Sequence, residues 1–293
     1  MRVLHLDSGR EMRGGQWQVL RLLEGLSGAG VDCTLLARGH SPLLEAGRKR
    51  GWRTEALTPV KLLFEARRHD LVHAHDARSH TLAAVSATVP LIVARRVAFP
   101  IGSAWKYGRA RRIVAISEYV KSIVAAGGVA EETIRVVPDG VPLLDAAQGT
   151  AVLALANGSD PNKGEALARE AASRAGVPLK LTTELERDLS GAAVFVYLTY
   201  SEGLGSAALL AMSAGVAVVA SRVGGLPEAI RNGENGLLVE NTAESVAEAL
   251  REFARNPDLA RRLGQAGRHT IEQQFTVDAM VRRTLAVYHE VLS

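Results

Sequence analysis

Short apolar runs recur along the chain, and between them lie stretches in which apolar positions return every three or four residues. The short runs carry the branched residues of buried strands, and the periodic stretches predict amphipathic helices. In the first half, residues 3–6, 33–37, 71–76, 91–94, 113–116 and 134–137 read as strands. Helices are expected over 16–26 and 42–50, and from the N-cap Ser117 to residue 126. The same alternation then restarts. Residues 152–156, 179–182, 194–197, 215–221 and 236–239 read as strands, with a helix ending at Ala175 and another opening at Ser206. A short helix opens at Gly224-Gly225-Leu226-Pro227-Glu228, and 243–255, 259–267 and 277–291 have amphipathic periodicity. Strand–helix alternation predicts an α/β fold with parallel sheets. Two halves alike in plan predict two Rossmann-like domains facing across a cleft, 1–145 and 151–275, joined by a linker at 143–150.

Composition agrees with this layout. At 293 residues, 47% hydrophobic and 23% charged, the chain is globular and long enough for two domains. The N-terminal apolar stretch is interrupted by Asp7 too soon to be a signal peptide, and no run reaches the length of a membrane span. Cys33 is the only cysteine, which excludes a disulfide within the chain and is expected as a core residue of a cytoplasmic protein. Charge is uneven: residues 1–150 hold 21 Lys+Arg against 14 Asp+Glu, and the remainder 14 against 17. Basic clusters at Arg48-Lys49-Arg50 near Trp52, and at Lys106, Arg109, Arg111 and Arg112 beside Trp105, suit an anionic acceptor or the surface of an anionic membrane; a solvated basic face has the same pattern. No nucleic-acid motif accompanies the charge, so nucleic acid is not expected as a partner.

The chemistry concentrates at Ser201-Glu202-Gly203-Leu204-Gly205-Ser206. A glycine loop opening a helix leaves backbone N–H groups for a phosphate. The carboxylate of Glu202, just before them, is suited to sugar hydroxyls. No G-x-G-x-x-G occurs, so no dinucleotide cofactor is indicated. His73 and His75 share a face if both lie on a strand, but a metal site needs further clustered ligands, and none is evident.

These motifs resemble the family-4 glycosyltransferases of GT-B fold. Residues 201–205, 215–227, 235–239 and Phe275-Thr276 are similar to the family's C-terminal domain. Gly14-Gly15, Val72-His73-Ala74-His75, Ile116-Ser117-Glu118 and 136–141 are similar to its N-terminal domain. The resemblance implies a retaining transfer of a sugar from a nucleotide-sugar donor to an acceptor hydroxyl; the basic, Trp-bearing first half points to a membrane lipid or cell-envelope glycan as that acceptor. The resemblance implies no cofactor and no metal, because basic side chains and backbone N–H groups stabilise the leaving diphosphate. The implied catalytic residues are Glu202, Lys163, His75 and Asp76. The implied donor-binding residues are Gly14, Gly15, Arg96, Ser117, Gly203, Leu204, Gly205 and Ser206. The helix over 276–293 is implied to return to the N-terminal domain.

The departures are specific. Leu210 stands where the family places the second glutamate of a pair, Gly158 where it places an arginine, and Arg96 where it places a histidine. Lys163 and Glu202 are 39 positions apart, closer than the family spacing, as though a strand–helix–strand unit were missing. Compensation is expected from Arg95 or Arg96. The alternative is a catalytically degenerate GT-B protein that binds a sugar, nucleotide or partner without turnover.

Overall fold

The computed structural model describes all residues except 103, 157, 159 and 161, so Asn157, Ser159 and Pro161 of the loop before Lys163 lie outside the described residues. The chain folds as two compact units, Met1–Gly140 with Val277–Ser293, and Val141–Thr276.

The first unit runs β1 (Arg2–Asp7), α1 (Gly14–Gly28), β2 (Asp32–Ala37), α2 (Pro42–Lys49), β3 (Arg53–Ala56), α3 (Pro59–Ala66), β4 (Leu71–Ala74), α4 (Ala77–Ser86), β5 (Leu91–Arg95), β6 (Arg112–Ala115), α5 (Glu118–Ala126) and β7 (Ile134–Val136). Its parallel sheet has the order β3-β2-β1-β4-β5-β6-β7. The second unit runs β8 (Ala151–Leu155), α6 (Glu165–Ala175), β9 (Leu179–Thr182), α7 (Leu185–Asp188), β10 (Ala192–Tyr197), α8 (Ser206–Ser213), β11 (Ala217–Ser221), α9 (Leu226–Ala229), β12 (Leu237–Val239), α10 (Ala243–Arg255) and α11 (Pro257–Gln274). Its parallel sheet has the order β12-β11-β10-β8-β9. The last helix, α12 (Val277–Leu292), belongs to the first unit.

That helix buries Met280, Val281, Val287 and Tyr288 against Val3, Leu22, Leu26, Leu71, Ile92 and Val114. Gly25 of α1 lets it approach: a Cβ there would lie 2.5 Å from Val281. At the far end of α12, Glu290 accepts from Arg112 of β6 and Arg135 of β7, which hold its carboxyl down to about 2. Cys33 is half-buried, and burial pushes its thiol up to about 12.

Several elements differ from the sequence expectation. The sequence pattern does not mark β3, because Arg53-Thr54-Glu55-Ala56 forms an edge strand with no fully buried residue, nor does it mark α3. Helix α3 starts from the cap Thr58 with Pro59 in its first turn. Helix α11 runs to Gln274 instead of stopping at Gly267. Its glycines mark close packing: a Cβ on Gly264 would collide with the Gly215 carbonyl, and one on Gly267 would lie 3.2 Å from the Asn235 carbonyl. The stretch read as a linker is bonded to the second unit, Ala147 N–H to Ala214 O at 2.9 Å and Gln148 N–H to Ser190 O at 3.1 Å. Among the described residues no helix is long and apolar enough to cross a membrane.

Candidate functional site

In an open parallel sheet, ligands bind beyond the carboxyl ends of the strands where the strand order reverses. The second unit has that point between β8 and β10, and the loops leaving those strands carry Lys163 and Glu202. The two loops are stitched together by their backbones. Lys163 bridges Thr199, Gly164 N–H donates to Leu198 O at 3.0 Å, and Tyr200 N–H donates to Asn162 O at 3.0 Å. Behind them Thr199 N–H donates to Ser221 Oγ, Ser221 donates to Asn241 Oδ1, and Asn241 returns an N–H to the Thr199 carbonyl. This closed ring of polar bonds fixes the segment that leads into Glu202.

The side chains then converge. Lys163 Nζ lies 3.3 Å from Glu202 Oε2 and 3.4 Å from the Tyr197 phenol oxygen, and Tyr197 donates its O–H to the same Oε2. Lys163 keeps 26% of its side chain exposed and Glu202 17%, so the pair is held in place yet open to solvent. Gly203 donates its N–H to Glu202 Oε1 at 3.1 Å, Leu204 is buried, Gly205 caps α8 at φ +94°, and Ser206 begins that helix. Gly224 closes the loop from the other side. It has φ +58°, and a Cβ there would strike the Glu202 carbonyl. Leu210 is buried within α8, and Gly158 donates its N–H to Glu165 at 3.0 Å.

The first unit has its switch point between β1 and β4. Register pairs His5 with His73, and His75 follows β4. All three imidazoles are buried. Arg96 Nη1 lies 3.3 Å from His75 Nδ1, His75 Nε2 lies 3.0 Å from His5 Nδ1, and His73 Nδ1 lies 2.7 Å from the Tyr288 hydroxyl. Burial, with the neighbouring imidazoles and Arg96 adding to it, holds His73 and His75 well below the usual histidine value; burial, His69 and Arg96 hold His5 down to about 3. A guanidinium only donates, so His75 Nδ1 accepts, its proton sits on Nε2, and that N–H donates to His5. Ligand atoms of the three rings lie within 4.8 Å of one another. The hydrogen-bond order nevertheless leaves His75 no lone pair for a cation. The Nε2 atoms of His5 and His73 are buried without a partner.

Two carboxylates frame this cluster. Asp76 caps α4, accepting from Arg78 N–H at 2.9 Å and Ser79 N–H at 3.1 Å, and it also accepts from the backbone and hydroxyl of Ser8. Burial pushes its carboxyl up, but the bonds from Ser8 and Ser79 outweigh this and hold it below the usual carboxylate range. Asp7 accepts from Gly9 N–H at 2.8 Å and from Gln16, and burial pushes it up to about 6. His75 and Asp76, expected to face a reacting sugar, are thus engaged inside the fold. Arg96, expected to compensate at the diphosphate, is 11% exposed and donates to Asp139 at 3.1 Å. Arg95 donates to the Phe99 carbonyl. Ser117 is fully buried as the cap of α5, accepting from Val120 N–H at 3.0 Å. Gly14 and Gly15 form the first turn of α1 rather than a loop, and a Cβ on either would meet open space.

Two α/β units, each with its own switch point, are the plan of the GT-B class, and solved structures agree. Anabaena Alr3699/HepE, solved in complex with UDP, superposes with a TM-score of 0.87 at 14% identity, covering 99% of this chain and 100% of that one. The lipopolysaccharide outer core galactosyltransferase WaaB gives 0.76 at 13% identity, covering 99% and 100%. A likeness at that identity concerns the fold. In sequence, the model for Glycosyltransferase Family 4 matches residues 12–143 and that for Glycosyl transferases group 1 matches residues 142–270. The chain belongs to the family-4 GT-B glycosyltransferases. It is 38% identical over 117 residues to alpha-maltose-1-phosphate synthase of Mycolicibacterium smegmatis, a match covering 38% of this chain and 30% of that protein. It is 44% identical over 99 residues to D-inositol 3-phosphate glycosyltransferase of Streptomyces coelicolor, covering 33% and 21%. The chain thus spans less than a third of the length of either relative.

Proposed function

We propose that the protein transfers a sugar, with retention, from a nucleotide-sugar donor to a hydroxyl of a cell-envelope lipid or glycan. The observation that carries this reading is the Lys163–Glu202 pair, 3.3 Å apart at the switch point of the second unit. An ammonium there suits the diphosphate that leaves with the bonding electrons, and a carboxylate suits the hydroxyls of the sugar. The proposal includes no resident metal or cofactor. Names of relatives and neighbours fit a nucleotide-sugar donor: UDP is bound to Alr3699/HepE, and two relatives are a synthase of a sugar phosphate and an inositol-phosphate glycosyltransferase. An acceptor at the inner face of an anionic membrane is supported by exposed Phe99 and Trp105, and by exposed Arg48, Lys49 and Arg50 beside Trp52.

A second reading, binding without turnover, is favoured by Leu210 and Gly158. A buried leucine offers no carboxylate, and a glycine no charge. The test is a thermal-shift screen with UDP, GDP, ADP and their sugar conjugates, since a ligand at 100 times its Kd adds about 2.7 kcal/mol of stability. One nucleotide series should raise Tm, and Lys163→Ala should weaken its binding about 10- to 100-fold through loss of a charged contact. Silence across all three series would overturn the donor pocket and leave the second reading, in which the chain binds a sugar or a partner without turnover. Binding without release of nucleotide in the presence of candidate acceptors would favour the second.

A further inference from the structure

We propose that Tyr197 is a positioning residue of the Lys163–Glu202 pair, and that its phenol sets the preference of the site for a sugar nucleotide over the bare nucleotide. The inference rests on the functional reading above and assigns a role to a residue that the motifs did not single out. Tyr197 ends β10 and is 6% exposed. Its ring stacks on Phe195 with centroids 5.9 Å apart. A Cβ on Gly205 would lie 3.4 Å from its edge and 2.5 Å from Leu226, so the glycine loop closes directly over the ring. The phenol therefore projects from a fixed platform, whereas the side chains of Lys163 and Glu202 are long and flexible.

The bonds run in one direction. Lys163 donates to the phenol oxygen, and the phenol donates to Glu202 Oε2. Burial first, and then the Glu202 charge, push the phenol well above its usual value, so it remains a donor across the working range. The ammonium also sits 5.5 Å over the ring. A carboxylate offers four lone-pair positions. Tyr197, Lys163 and Gly203 occupy three of them, which leaves one on a carboxylate held from three sides and still partly open to solvent. One fixed acceptor selects one hydroxyl geometry, and a group held before binding pays less to order on binding. The phenol accepts only a long bond from Lys163 but gives its own proton to Glu202, so its loss bears most on the carboxylate suited to the sugar.

The experiment uses the full chain and Tyr197→Phe, which keeps the ring and its packing. Affinities are read by calorimetry for UDP, GDP and ADP, each beside its glucose conjugate. A second readout needs no ligand: a double-mutant cycle of unfolding with Tyr197→Phe and Glu202→Gln. The expected result is a coupled, non-additive cycle, bare-nucleotide affinity within about 3-fold of the parent, and a loss of about 10-fold in the sugar-nucleotide preference. An additive cycle overturns the proposal. A coupled cycle with the preference unchanged overturns it too, since Tyr197 would then act only in stability. A parent chain that binds no nucleotide overturns the functional reading and the sugar role together, and the cycle distinguishes that outcome from a failed phenol–carboxylate contact.

Discussion

The two units place their switch points in the same topological position but use polar residues there in opposite ways. In the first, His5, His73, His75, Asp7 and Asp76 are buried or engaged, and their hydrogen bonds connect β1, β4, α4 and α12 to one another. In the second, Lys163 and Glu202 meet at partly exposed positions while the buried ring of Thr199, Ser221 and Asn241 does the holding. A polar residue at the end of a parallel strand is therefore in the right place for function in both units. In the second its charged atoms stay partly open to solvent, whereas in the first only Asp76 of these five is incompletely buried, and its oxygens are taken by Ser8, Arg78 and Ser79.

The largest effect that would sharpen this contrast is acid unfolding. The unfolded chain protonates a histidine near 6.5, whereas folded His5 stays neutral to about 3. Below pH 6.5 the unfolded state thus binds more protons, and stability falls as pH drops. At pH 5 His5 alone costs about 2 kcal/mol, and His73 and His75 add in the same direction. All three tryptophans, Trp17, Trp52 and Trp105, lie in the first unit. Denaturation followed by tryptophan fluorescence should weaken from pH 7 to pH 5 more than the circular dichroism transition of the second unit. Equal pH slopes would break the comparison.

A smaller effect belongs to the second unit. Gly224→Ala must adopt φ +58° against the Glu202 carbonyl, at a cost of about 1–3 kcal/mol. Denaturation should show that loss at every pH, with nucleotide binding reduced because the loop under Glu202 is displaced. A loss that varies with pH would remove the distinction between the units. The smallest effect has the opposite sign to the histidines. Folded Asp7 titrates near 6 against 3.8 unfolded, so between these values the folded state holds the extra proton and stability falls as pH rises. Asp7→Asn abolishes that titration. Its stability relative to the parent should improve by about 1 kcal/mol between pH 5 and pH 7, read by the same fluorescence transition.

Much of the fold was legible because its strands are buried on both faces and read as apolar runs, as in β10 and β11. The polar edge strand β3 lacks that signature. The glycines of α11 imitated a helix stop, since sequence spacing does not reveal that Gly215 and Asn235 pack against them. At the site, Glu202 stands out in its glycine loop and Lys163 through the family resemblance, but their convergence to 3.3 Å is not visible along the chain. Tyr197 does not stand out, because an aromatic residue at the end of a buried run looks like core. His5 joins His73 only through strand register, and Asn241 reaches Thr199 across 42 positions, so neither relation is visible along the chain.

The return of α12 to the first unit bears on how the chain is made. The second unit is contiguous and can close as soon as residue 276 has left the ribosome. The first cannot, because Tyr288 must travel back 215 positions to meet His73. Until residues 277–288 have emerged, Val3, Ile92 and Val114 lack the apolar cover that Met280, Val281 and Val287 provide. The half of the molecule translated first is thus the half completed last, and its exposed seam is what a chaperone would meet on the nascent chain.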